Sequence, residues 1–185
     1  ALVLLIIIFG GLLAAGLPLL GALASILIGM GVLWGLTFVL DVYSFILNVI
    51  SILGLALSID YGLLLVSRYR EEVAIQLDEA GHRDGDLPAG ADMKELVQRS
   101  VVRTVATAGR TVSFSALTIA CSITGLLIIR SPMFKTIAVG AISMSLVAVA
   151  CTITLVPAVI TLLGGRLVRP SALSRVPGVN RVLRA

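Results

Sequence analysis

SFILNVISILGLALSIDYGLLLVS, running from Ser44 to Ser67, is 24 residues of almost unbroken apolar sequence. As a helix rising 1.5 Å per residue it reaches about 36 Å, enough to cross the roughly 30 Å hydrocarbon core of a bilayer. Within it, Asp60 is the one side chain ionisable near neutral pH. Holding a carboxylate at that depth costs on the order of 3 kcal/mol on insertion scales. A group that costly is read as functional: it carries a proton, binds a cation, or pairs with another buried polar group.

The helical wheel places Asp60 further. Gly54, Ser58 and Gly62 recur every four residues and form a stripe of small side chains that lets a second helix approach closely. At 100° per residue, Asp60 lies about 160° from the centre of that stripe. The helix therefore has two faces to bury, one against a packed neighbour and one against something polar. Tyr61 points between them and brings a hydroxyl to the same depth.

Outward from this segment the chain stays apolar. Of its 185 residues 58% are hydrophobic and 13% charged, against about a quarter charged in soluble domains. The fold class expected is all-α: a polytopic membrane helix bundle of about five transmembrane helices plus an amphipathic helix on the cytoplasmic face. The expected bundle covers 1–163, with spans at about 1–10 (partial), 15–37, 44–67, 111–129 and 133–163. The break between the first two falls at Gly10-Gly11 and Gly16-Leu17-Pro18. The opening ALVLLIIIF reads as the inner part of a helix and not as a secretory signal, because no basic residues precede it. Asp41 and Tyr43 sit in a short interfacial loop, Arg130-Ser131-Pro132 forms a tight turn, and Pro157 is expected to kink the last span.

Twelve of the 14 Lys and Arg fall in 68–110 (Arg68, Arg70, Arg83, Lys94, Arg99, Arg103, Arg110) or in the tail 164–185 (Arg166, Arg169, Arg175, Arg181, Arg184). Arg130 and Lys135 lie on the opposite side. The positive-inside rule puts the 68–110 loop and the tail in the cytoplasm of a multi-pass plasma (inner) membrane protein. Residues 78–91 read as a flexible loop. Residues 92–108 open on Asp92 at an N-cap position and repeat apolar side chains at Met93, Leu96, Val97, Val101 and Val105. That helix either lies on the inner membrane surface or packs on a protein neighbour, and the pattern allows both.

The span after it carries a hydroxyl stripe. Thr111, Ser115, Thr118 and Ser122 lie within about 60° of one another on the wheel, and Thr104 and Thr107 extend the row. It reads either as a polar track serving the Asp60 region or as ordinary packing, with each hydroxyl bonded to its own preceding turn. Arg68, Arg70, Glu71 and Glu72 follow the Asp60 span directly and read as interfacial anchors.

Several classes of chemistry find nothing to build on. Phosphate loops, nucleophile elbows and metal-ligand clusters are missing from the sequence, and His82 lies in a polar loop between Gly81 and Arg83. The expectation is no enzyme activity, no metal, no other cofactor and no nucleic-acid partner. Cys121 and Cys151 both fall in expected spans and read as small buried hydrophobes. No Lys, Arg or His sits at comparable depth in another span, so any ion-pair partner of Asp60 belongs to other sequence.

The run from Ser58 to Glu72 (SIDYGLLLVSRYREE) resembles the MmpL-type (mycobacterial membrane protein, large) transporters of actinobacteria, within the resistance-nodulation-division superfamily. FGG at 9–11, AGLP at 15–18, TAGRTVSFS at 107–115 and LVPA at 155–158 are similar to the same family. The resemblance implies the second through sixth helices of one half of a two-half transporter that uses the proton gradient to export lipids or related amphiphiles. It implies that Asp60 and Tyr61 are half of an intramembrane proton relay. The partners it implies are membrane lipids, an amphiphilic substrate, and a second transmembrane half facing this one. The alternative reading of the residues is a non-transporting bundle that senses lipid or sterol, or serves as a structural scaffold.

Overall fold

The computed structural model describes residues 12–39, 44–79 and 91–163, which are almost entirely helical. The partial span at 1–10, Asp41 and Tyr43, most of the 78–91 loop with His82, and the 164–185 tail lie outside those residues. Four helical stretches are long and apolar enough to cross a membrane: Gly16–Leu36, Ser44–Glu79, Asp92–Ile128 and Pro132–Leu163. Among the described residues the chain is a multi-pass membrane helix bundle.

Helix α1 (Leu12–Leu36) runs through Pro18 without ending. Proline removes one backbone donor, and in an apolar helix the neighbours absorb that loss. Gly16-Leu17-Pro18 is therefore helical and not the break expected there. The helix closes where Thr37 donates its hydroxyl to the Trp34 carbonyl at 2.6 Å and its amide to Leu33, satisfying end carbonyls that would otherwise be open.

Helix α2 (Ser44–Glu79) is 36 residues long, about 54 Å, and outruns a bilayer core. Hydropathy drops after Ser67, which is where the sequence places the end of the span, but the backbone continues. SRYREEVAIQLDE contains no glycine or proline, and Arg68 pairs at i+3 with Glu71 and at i+4 with Glu72, so the local signals all favour helix.

Helix α3 (Ala91–Thr104) leads into a π-turn at Val105–Gly109, then into α4 (Arg110–Thr124) and a 3-10 turn at Gly125–Ile128. The amphipathic segment and the next span thus form one continuous rod. Of the two surroundings open to α3, the protein neighbour is the one observed. Val97 and Val101 are buried with Leu65, Tyr69 and Val73 of α2, and Met93, Leu96 and Val105 pack against the same cluster. Helix α5 (Pro132–Leu163) starts on a proline, whose fixed φ suits a first turn, and continues past Pro157.

Helices α1, α2 and α5 pack on one another, α3 rests on the extension of α2, and α4 leans on α5. The close approach depends on small residues. A Cβ on Gly62 would come within 3.0 Å of the Pro18 Cα, so α1 and α2 meet there backbone to backbone. A Cβ on Gly29 or on Gly54 would overlap the Met144 side chain. Met144 of α5 is therefore wedged between α1 and α2, held on both sides by a glycine.

Candidate functional site

The small-residue stripe and the acid occupy different faces of α2. Gly54, Ser58 and Gly62 are all buried in the three-helix core. Tyr61 is buried with Val112 and Ala116 of α4 and Ala148 of α5, and its hydroxyl has no hydrogen-bond partner among the described residues. Asp60 is exposed. It points away from the body on the same stripe as Leu64, 41% exposed one turn later, with Ile52 and Leu55 also open nearby.

Helices α2 and α4 run antiparallel, and three juxtapositions indicate their relative level. Arg68 Nε donates to Thr107 Oγ1 at 3.4 Å, Leu64 and Thr111 line one groove, and Tyr61 packs on Val112 and Ala116. One helical turn further along each helix, Asp60 and Ser115 come to the same level of the same open side.

The stripe's hydroxyls differ in what they are free to do. Thr111, Thr118 and Ser122 each donate to the carbonyl four residues back, at 3.3, 2.9 and 2.8 Å. Thr104, buried, and Thr107 bond backward in the same way. Such bonds satisfy the donor within its own helix. Ser115 alone among these four hydroxyls has no such bond among the described residues, and all four are exposed. Tyr61 and Ser115 thus bring donors not already committed to the level of a carboxylate.

The profile of the MMPL family matches residues 1–180. The chain belongs to the MMPL family. The relatives it resembles include a membrane protein of Streptomyces coelicolor, 40% identical over 166 residues, which are 90% of this chain and 21% of that protein. The trehalose monomycolate exporter MmpL3 of Mycobacterium tuberculosis is 36% identical over 88% of this chain and 15% of its own length. MmpL11, 33% identical, is named a mycolic acid-containing lipids exporter in Mycolicibacterium smegmatis and a heme uptake protein in M. tuberculosis; the matches cover 88% and 93% of this chain. The chain spans about a fifth or less of the length of these curated relatives.

In this MMPL chain, the cluster just beyond the Asp60 stripe does more than anchor a helix end. The Arg68 guanidinium is shared three ways: Nη1 lies 2.6 Å from Glu71 Oε2, Nη2 lies 2.8 Å from Glu72 Oε1, and Nε reaches Thr107 in the π-turn. The Glu72 side chain is 6% exposed and Glu71 59%. Spacing of i, i+3 and i+4 in the sequence signals the two ion pairs. The reach across to Thr107 leaves no such signal, because it depends on how α4 folds back.

One further difference from the sequence reading concerns the cysteines. Cys151 is buried, but Cys121 is exposed on the outer side of α4.

Proposed function

We propose that this chain is the transmembrane part of a proton-motive-force-driven exporter of lipids or related amphiphiles, with Asp60 and Tyr61 as half of its intramembrane proton relay. The observation that carries the reading is the placement of Asp60: a carboxylate in the middle of a span, directed out of the four described helices. Facing lipid would be costly. The face is therefore covered by a partner, which we take to be the second transmembrane half of the same transporter, bringing its own polar groups to Asp60.

Ser115 is the hydroxyl best placed to assist, and Thr111, Thr118 and Ser122 line the track beside it. Protonated, Asp60 is neutral and suits an apolar surrounding; ionised, it demands a polar partner. Each of the two states therefore favours its own packing of the halves, and this is how a proton can bias alternating access. One charge crossing 100 mV supplies about 2.3 kcal/mol. By the positive-inside rule the α2 extension, the 68–110 loop and the tail lie in the cytoplasm of the plasma membrane. Names among the relatives include trehalose monomycolate, mycolic acid-containing lipids and heme, so the reading extends to an amphiphile class and not to one molecule.

Export by the full transporter carrying Asp60→Asn, at matched membrane levels, tests this. Mass spectrometry of surface and total lipids should show one amphiphile lost from the surface and retained inside. Unchanged surface lipid would return Asp60 to a structural role and favour the sensor or scaffold reading.

A further inference from the structure

Between α2 and the π-turn lies an open groove of about 410 Å³ lined by Leu64, Ser67, Arg68, Glu71, Thr107 and Thr111, with Ala108 at its floor. Its inner end, Leu64, is one helical turn from Asp60, about 6 Å along the axis. Its outer end, Glu71, is seven residues further, about 10 Å. Asp60, Leu64, Ser67 and Glu71 fall on one stripe of α2, so the groove continues the line of the acid towards the side assigned above to the cytoplasm. The polar lining comes from both walls: Ser67, Arg68 and Glu71 from α2, and Thr107 and Thr111 from the opposite one. Most of the lining surface is apolar, but a groove of this size has room for water, and the five polar side chains along it supply the partners that each water needs.

We infer that this groove is the cytoplasmic arm of the proton path and that Glu71 is the carboxylate that passes protons between it and the cytoplasm. This rests on the relay proposed above. In the release step to the cytoplasm, the O–H bond of protonated Asp60 breaks and its electron pair stays on the carboxylate. The proton moves along water in the groove, an O–H bond forms on Glu71, and the proton then leaves to bulk water. No other species is consumed. The two glutamates on Arg68 divide the work by exposure. Glu72 is nearly enclosed and holds Arg68 in place, whereas Glu71 lines the groove and meets solvent. Through Thr107 the same guanidinium is tied to the opposite wall, which fixes Glu71 at the mouth.

The test uses the full transporter in liposomes made from the host's polar lipids, with a pH-sensitive dye trapped inside and an imposed proton gradient. Glu71→Gln should slow proton flux about tenfold or more, the scale on which a positioned proton-transfer group acts. Glu71→Asp should restore most of it, because the acid is kept. Glu72→Gln should lower the melting temperature more than Glu71→Gln does. If Asp60→Asn abolishes flux while Glu71→Gln stays within about twofold of the parent, the relay stands and the groove route is overturned. If Glu71→Asp is as slow as Glu71→Gln, the acid is not the operative group and the inference also falls. If Asp60→Asn leaves flux unchanged, the relay itself is lost and the groove route with it.

Discussion

Asp60 and Tyr61 are adjacent in sequence and opposite in surroundings: the acid faces out of the bundle and the phenol is enclosed by Val112, Ala116 and Ala148. Because the Tyr61 hydroxyl has no partner in the described residues, Tyr61→Phe removes no internal hydrogen bond. The melting temperature in detergent should move by no more than a change of about 0.5 kcal/mol would cause, while export by the full transporter falls. A large loss of stability would make Tyr61 structural. Glu72 should behave in the opposite way. Its exchange for Gln weakens an enclosed charged hydrogen bond whose partner, Arg68, is 33% exposed, so the expected cost is about 1–2 kcal/mol, read by thermal melting. Asp60 was legible in the sequence because a charge in an apolar run is conspicuous by composition alone. Ser115 was legible only as one of four equivalent hydroxyls. Distinguishing it needed to know which donors bond their own helix.

At the scale of the element, hydropathy located the spans because it reports the medium a segment prefers. It could not place the end of α2 or the junction of α3 with α4, since a helix crossing from lipid into water changes polarity without changing backbone geometry. The surroundings of α3 were undecided for a related reason. A lipid surface and the Tyr69–Val73 face of α2 accept the same apolar stripe, and the choice is made by tertiary packing. The Gly54, Ser58 and Gly62 stripe implied a close neighbour but not its identity. Met144 supplies part of the answer, and it gives a quantitative expectation. Gly54→Ala should destabilise the bundle by about 1–3 kcal/mol, because Gly29 blocks the retreat of the methionine on the other side. Adding Met144→Ala should recover part of that loss, giving a measurable coupling in a double-mutant cycle. Strict additivity of the two losses would mean the wedge is absent.

The described residues form a three-helix body of α1, α2 and α5 with α4 set against α5, and among them Asp60 and the hydroxyls of α4 are exposed. Thiol reagents can check this arrangement. In mild detergent, N-ethylmaleimide should modify Cys121 readily and reach Cys151 only after denaturation, as their exposed and buried positions require; equal rates would contradict the packing of α5. The continuous stretch from Ala91 to Ile128 has a mechanical meaning of its own. Its two arms, α3 and α4, have 14 and 15 residues, about 21 and 22 Å, with the wider π-turn between them. Arg68 grips that turn at Thr107. This is the geometry of a strut with two arms of nearly equal length, pinned where they join. With Val97 and Val101 of α3 seated on α2 and α4 leaning on α5, one unbroken helix joins two separate packing contacts, so neither arm can shift without loading the other.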